Sequence, residues 1–299
     1  MDYIQEVPIL PENQRTVVTL GKFNGVHRGH QKLIRRVAEL GIKQGWKKTV
    51  VAFSNRDKKL LTNQERIHML NHMGMELLVE CTLDKKLMHM SPEDFVKEIL
   101  VKRLHAAHII VGPDYRFGYQ RKGNTKVLKQ LGEIYGFEVE VLSKEMDGTR
   151  EISSTYVREQ LNEGNIEKAN ELLGYHFSTE GEVVHGRRLG RTIGVPTANL
   201  IPPREKLMPP NGVYVTRTHF GEDSYMGITN VGYKPTVGGE QFLGVETYLF
   251  ECSEDLYGRE AKVEFFHFVR PERRFESLQA LKEQLDKDIE TGKKYGNPL

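Results

Sequence analysis

Two segments of this 299-residue chain carry residues whose types and spacing suit phosphate chemistry. In the stretch Gly181 to Leu200, reading G-E-V-V-H-G-R-R-L-G-R-T-I-G-V-P-T-A-N-L, glycines recur every four residues at Gly186, Gly190 and Gly194. Glycine lets backbone N–H groups approach an anion closely, and Arg187, Arg188 and Arg191 add positive charge at the same place. Thr197 and Asn199 follow with hard oxygens, the ligand type Mg²⁺ takes when it is also bound to phosphates. On glycine spacing alone, a hairpin loop with solvated arginines fits as well. The second segment, Gly21-Lys22-Phe23-Asn24-Gly25-Val26-His27-Arg28-Gly29-His30, contains H-x-G-H. His27 and His30 can hydrogen-bond a triphosphate and stabilise charge building on departing pyrophosphate. In isolation such a pair also reads as surface or core histidines.

The elements around these segments give them positions. From Thr16 to about Val141, short apolar runs alternate with helical patterns, which predicts a parallel sheet covered by helices. Thr16 to Leu20, Thr49 to Phe53, Leu77 to Cys81, His108 to Val111 and Val139 to Leu142 read as strands. Leu33, Ile34, Val37 and Leu40 share a helical face, as do Phe95, Ile99, Leu100 and Leu104, and both stripes read as core. Ser91-Pro92-Glu93-Asp94 starts a helix, with Ser91 as N-cap and Pro92 at the first helical position. The H-x-G-H segment therefore falls between the first of these strands and the first helix, where open α/β sheets bind ligands and a helix N-terminus offers free N–H groups. Helices through Leu161 and from Ile166 to Leu173 end at Gly174, and the domain boundary is expected there, giving residues 1–174 and 175–299. Beyond it, segments such as Val213 to Thr218, Tyr225 to Val231, Val245 to Phe250 and Ala261 to Phe268 predict a small antiparallel β-barrel. Leu278, Leu281, Leu285 and Ile289 mark an amphipathic terminal helix that closes one side of it.

Composition narrows the class. A chain of this length suggests two domains at about 150 residues each. Lys and Arg number 43 against 41 Asp and Glu, and a net charge of +2 argues for local basic sites and against a nucleic-acid binder. Two cysteines make no disulfide framework and suit a reducing cytoplasm. The start Met1-Asp2-Tyr3-Ile4-Gln5-Glu6 is too polar for a signal peptide, and no run of about 18 apolar residues occurs, so a cytoplasmic protein with no membrane segment is expected. Neither a P-loop G-x-x-x-x-G-K-[ST] nor a G-x-G-x-x-G fingerprint is present.

The segment Pro196-Thr197-Ala198-Asn199 with its preceding glycines resembles the riboflavin kinase family. The resemblance runs on in order through Gly212-Val213-Tyr214, Asn230-Val231-Gly232, Pro235-Thr236, Glu246, Asp255-Leu256-Tyr257-Gly258 and Arg270-Pro271-Glu272. The first half resembles the nucleotidylyltransferase superfamily, and more closely the FMN adenylyltransferase half of bacterial bifunctional FAD synthetases. That likeness rests on H-x-G-H, on Gly112-Pro113-Asp114-Tyr115-Arg116-Phe117-Gly118, and on Ile152-Ser153-Ser154-Thr155 with Arg158. The fold so implied is a Rossmann-like domain with a parallel sheet followed by a riboflavin-kinase barrel.

The resemblance also implies an activity: ATP- and Mg²⁺-dependent phosphorylation of riboflavin to FMN, and adenylylation of FMN to FAD. In that reading Gly21, Phe23, Gly25, Ser153, Ser154, Thr155 and Arg158 meet ATP in the first domain, where His27 and His30 are catalytic and Asp114 faces flavin. In the second domain Gly186, Gly190, Arg191, Gly194 and Thr197 hold the nucleotide, and Thr197 and Asn199 hold Mg²⁺. Glu246 accepts the proton of the ribityl hydroxyl, while Tyr248 and Arg270 meet flavin. Strand alternation places Glu246, Tyr248 and Phe250 on one face; the residues alone equally allow a solvated carboxylate there. The chain departs from the family's usual residues at Asn24 and Asn124, both usually Asp, and at Ser54-Asn55-Arg56-Asp57, usually containing P-H-P. Two alternatives follow: a riboflavin kinase with a degenerate first domain, or a flavin-responsive regulatory protein.

Overall fold

The computed structural model describes residues 1–54, 58–82, 85–185, 197–235, 241–252 and 254–296, which divide into two compact units, Met1–Ser154 and Thr155–Leu299. The division lies ahead of the boundary expected after Gly174, because the second of the two linking helices packs on a barrel strand.

The first unit runs β1 (Asp2–Ile4), β2 (Thr16–Gly21), α1 (Arg28–Gln44), β3 (Lys47–Ser54), α2 (Asn63–His72), β4 (Leu77–Thr82), α3 (Lys85–His89), α4 (Pro92–Asp94), β5 (Ala106–Val111), β6 (Arg116–Phe117), β7 (Gly123–Asn124), α5 (Thr125–Tyr135), β8 (Glu138–Val141), β9 (Met146–Asp147) and β10 (Arg150–Glu151). Six strands form one sheet in the order β1-β4-β3-β2-β5-β8, and every ladder in it is parallel. Strands β2, β4 and β5 are buried almost end to end, as a sheet covered on both faces requires. Ile34, Val37 and Leu40 of α1 are buried as the sequence pattern predicts. Ser91 accepts the backbone N–H of Asp94 as expected of its cap, but the helix then continues over Phe95–Val101 as a wider π-helix that buries Phe95, Ile99 and Leu100 against the sheet.

The second unit adds α6 (Ser154–Asn162), α7 (Ile166–Leu173), β11 (Ser178–Val184), β12 (Ala198–Leu200), β13 (Gly212–Phe220), β14 (Asp223–Pro235), β15 (Gln241–Leu249), β16 (Glu260–Pro271) and α8 (Leu278–Gly296). The six strands close into an antiparallel barrel in the order β11-β12-β15-β14-β13-β16. Its interior includes a row of buried hydroxyls, Thr216 to Thr229 at 2.6 Å and Thr229 to Thr247 at 2.7 Å. With Thr247 inside, strand alternation turns Glu246 and Tyr248 outward. α8 packs on β13 and β14, and a side chain at Gly292 would meet Ile228 and Phe250 at 2.8 Å, so glycine there sets the closeness of the helix to the barrel.

Candidate active sites

The first site is the turn that joins β2 to α1. Phe23 and Val26 hold φ of 44° and 40°, the left-handed region that a bulky or β-branched residue enters only when its surroundings compel it. The compulsion is visible. Phe23 is fully buried beneath Gly21, Asn24 Oδ1 accepts Leu60 N–H at 2.7 Å and Asn24 O accepts Leu61 N–H at 3.0 Å. A side chain on Gly25 would come within 2.6 Å of Leu60, so this glycine is needed for the close approach. Gln31 Nε2 holds the Val26 carbonyl at 3.0 Å.

This pinned turn delivers His27 as the N-cap of α1, where its side chain makes no capping hydrogen bond and the first turn contains no acid. The positive end of the helix dipole is thus left for an anion. The rings of His27 and His30 stack at 3.8 Å, and neither Nδ1, both buried, has a hydrogen-bond partner among the described residues. Burial pushes the His27 pKa down to about 4, and burial followed by the neighbouring His27 holds His30 well below the ordinary imidazole value. Both rings are therefore neutral near pH 7, and a neutral imidazole can act as a hydrogen-bond donor.

Around this turn, Arg28 pairs with Glu145 at 3.0 Å, and Lys32 Nζ donates to the carbonyl and hydroxyl of Ser143 at 2.9 Å each. The exposed Asp114, just past the end of β5, pairs with Lys144 at 3.3 Å. Ile152 O lies 3.6 Å from where a Cβ on Gly29 would stand, so the segment leading into Ser153 and Ser154 lies against the first turn of α1. Ser154 opens α6; Thr155 and Arg158 follow on that helix and belong to the second unit. Asn124 Oδ1 accepts Val127 N–H at 3.0 Å as the N-cap of α5. Asn24 and Asn124 thus both use a side-chain oxygen as acceptor, a role a carboxylate performs equally. Residues 55–57, in the place of the usual P-H-P, lie outside the described residues.

The second site is on the outer face of the barrel. β12 and β14 flank β15, which sets Asn199 and Asn230 on either side of Glu246. Thr197 Oγ1 donates to Glu246 Oε1 at 2.7 Å, and Lys234 Nζ donates to Glu246 Oε2 at 2.6 Å and to Asn199 Oδ1 at 3.0 Å. Sequence reasoning singled out Thr197, Asn199 and Glu246, and the fold brings the three together. It missed Lys234, whose signal was the alternation Asn230, Gly232, Lys234 on one strand face. Tyr248 is half-buried on the same face as Glu246, its ring edge-on to Phe250 at 5.9 Å. Arg270 is held by Asp288 of α8 through bonds of 3.0, 3.1 and 2.7 Å, and Asp288 is 1% exposed. Gly186, Gly190, Arg191 and Gly194 lie outside the described residues.

Whether a divalent metal fits is a question of donor chemistry. Among the described residues no three His, Cys, Asp or Glu side chains are grouped to hold a metal ion. Thr197, Asn199 and Glu246 instead offer hydroxyl, amide and carboxylate oxygens around a seated ammonium, a donor set suited to Mg²⁺ that keeps most of its ligands from phosphates and water.

Known families match both halves of the chain. The riboflavin kinase family matches residues 173–296 and the FAD synthetase family residues 9–156. The chain is 35% identical over 297 residues to the bifunctional riboflavin kinase/FMN adenylyltransferase of Buchnera aphidicola subsp. Acyrthosiphon pisum, with 95% of each chain covered. It is 35% identical over 290 residues to that of Escherichia coli K12, covering 93% of this chain and 92% of the relative. The chain belongs to the bifunctional riboflavin kinase/FMN adenylyltransferase family. The counterpart from Listeria monocytogenes is 32% identical over 283 residues, covering 91% and 90%. A solved Streptococcus pneumoniae structure titled as a macrolide-efflux protein superposes with a TM-score of 0.87 at 30% identity, covering 98% of each chain. Among the described residues no helix is long and apolar enough to cross a membrane.

Proposed function

We propose that the chain converts riboflavin to FMN with ATP on the barrel unit and FMN to FAD with a second ATP on the α/β unit. The observation that carries the first reaction is the cluster of Thr197, Asn199 and Glu246 on one barrel face. Phosphoryl transfer asks the protein for an oriented acceptor and for stabilised phosphate charge. Glu246 takes the proton from the ribityl hydroxyl as its oxygen attacks the γ-phosphorus, the bond to the β–γ bridging oxygen breaks and ADP leaves; Tyr248 and Arg270 border the flavin. Thr197 Oγ1 keeps one carboxylate oxygen in place while its own lone pairs face the phosphates. Mg²⁺, held by Thr197 and Asn199, supplies neutralisation of the phosphate oxygens when bound.

In the second reaction the FMN phosphate attacks the α-phosphorus of ATP and pyrophosphate leaves. The residues serving it are His27 and His30, neutral donors at the head of α1, with Gly21, Phe23 and Gly25 shaping the turn and Ser153 and Ser154 leading into α6. Asp114 belongs to the flavin side. Asn24 and Asn124 favour an active rather than a degenerate domain, since each makes the backbone contact an Asp oxygen would make. A chain with only two cysteines, buried Cys81 and half-buried Cys252, suits a cytoplasmic setting. The test is a time course of products from riboflavin, ATP and Mg²⁺: FMN followed by FAD is expected. FMN without FAD would assign the first domain another role, and neither product would refute the reading.

A further inference from the structure

The lysine at the barrel site has no part in the reaction as described, yet it bonds both Glu246 and Asn199. Lys234 stands opposite Phe242 in the β14–β15 register, while Glu246 stands opposite Asn230. To reach Glu246 the lysine stem must pass three intervening residue pairs, of which Gly232 and Gly244 lie on the same sheet face. It does so over Gly244, where a side chain would meet the lysine Cδ at 3.0 Å and Cε at 3.1 Å. Glycine at that position leaves a track for the stem. The track ends among oxygens: Glu246 Oε2 at 2.6 Å and Asn199 Oδ1 at 3.0 Å, with Thr197 Oγ1 bound to the other oxygen of the same carboxylate.

A cation in a cluster of hard oxygens marks where positive charge is favoured, and here the protein itself supplies it. An ammonium is a point charge on a flexible four-carbon stem, with three donors that any group of oxygens can satisfy. The side chain is 24% exposed, so the stem is not locked into the barrel. We propose that Lys234 is a resident cation that holds the Asn199 and Glu246 oxygens in the nucleotide-free protein, and that on arrival of the metal–nucleotide complex it yields Asn199 to the metal and releases the Glu246 carboxylate to act as base. The inference rests on the reading of Thr197 and Asn199 as the metal side of the kinase site. A metal–nucleotide complex brings both a divalent charge to replace the ammonium and phosphate oxygens to receive it. A bare divalent cation brings only the first. Metal alone therefore binds weakly to the native chain, and metal and nucleotide bind cooperatively.

The test uses Mn²⁺ as probe, its free fraction read by electron paramagnetic resonance with no nucleotide present. Lys234→Met keeps the stem and removes the charge; it is expected to bind Mn²⁺ at least tenfold more tightly than the native chain. Lys234→Arg, which keeps the charge, is expected to stay at the native value. Adding Asn199→Ala to Lys234→Met is expected to abolish the gain. Equal Mn²⁺ affinity in the native chain and Lys234→Met, with the melting temperature unchanged, overturns the proposal, as does a gain that survives loss of Asn199. Should Lys234→Met fail to fold, Lys234→Gln is read by the same criteria. Failure of the kinase reading itself shows separately, as absence of FMN formation by the native chain.

Discussion

In the proposed function the two sites manage phosphate by different physical means. At the α/β site the backbone does most of the work: a strained turn, glycines at close approach and a helix N-terminus, with two buried neutral imidazoles added. At the barrel site the described contacts are between side chains, and formal charges are paired explicitly, Lys234 with Glu246 and Arg270 with Asp288. The difference follows from the chemistry each must perform. Adenylyl transfer to a phosphate needs no proton removed from a hydroxyl, and stabilising a leaving pyrophosphate is a task for aligned dipoles. Phosphorylating an alcohol needs a base, and a base near phosphates needs compensating charge.

The contrast is broken most directly at Glu246. Glu246→Gln is expected to lower FMN formation about 10²- to 10⁴-fold, the usual range for a positioned base, while leaving FAD formation from supplied FMN unchanged. Loss of both activities would show that the sites are not independent. The reciprocal change, His30→Ala, should lower FAD formation from FMN by about 10²- to 10³-fold, typical of losing one charge-stabilising donor, with riboflavin phosphorylation retained.

Smaller effects sharpen the contrast through stability. Arg270→Ala leaves the buried Asp288 carboxylate without its ion pair, with the Gln284 amide still bonded to it, and is expected to destabilise the barrel unit by about 3 kcal/mol in denaturant unfolding. His27 acts through pH. Its folded pKa of about 4 lies below the ordinary 6.5, so the unfolded chain takes up the proton first as pH falls. Stability is therefore lost between those two values, by about 3 kcal/mol at 1.36 kcal/mol per unit, and none of that loss is felt above the ordinary value. His27→Gln should flatten this part of the pH–stability curve of the α/β unit; an unaltered slope would mean that the imidazole is not buried as described. Smallest of all, Asn124→Asp should change stability by less than about 0.5 kcal/mol, whereas Asn124→Ala should cost about 1 kcal/mol, because only an oxygen acceptor is required at that cap.

Much of this was legible in the sequence where a local rule sufficed. The apolar runs of β2, β3, β4 and β5, the cap at Ser91 and the alternation through Glu246 each follow from nearest neighbours in the chain. What escaped depends on partners far along it. β1 is three residues long and exists because it pairs with β4. The helical stripe from Phe95 fits an α-helix by spacing, and the π-helical turns there answer to packing that periodicity does not report. Lys234 acquires its role only when β14 and β15 are laid side by side, and Asp288 only when α8 returns to the barrel. Asn24 looked like a lost carboxylate, and the fold shows an acceptor tying a turn to Leu60 and Leu61.

The central claim, two chemically separate sites sharing one freely exchanged product, is tested most directly by mixing two inactive variants. Glu246→Gln and His30→Ala, each given riboflavin, ATP and Mg²⁺ alone, should make no appreciable FAD. Combined in one solution, the second supplies FMN to the first, and FAD should appear after a lag that shortens as the proportion of His30→Ala is raised. A mixture that makes FMN but no FAD, or either variant making FAD from riboflavin at the native rate, would contradict the account.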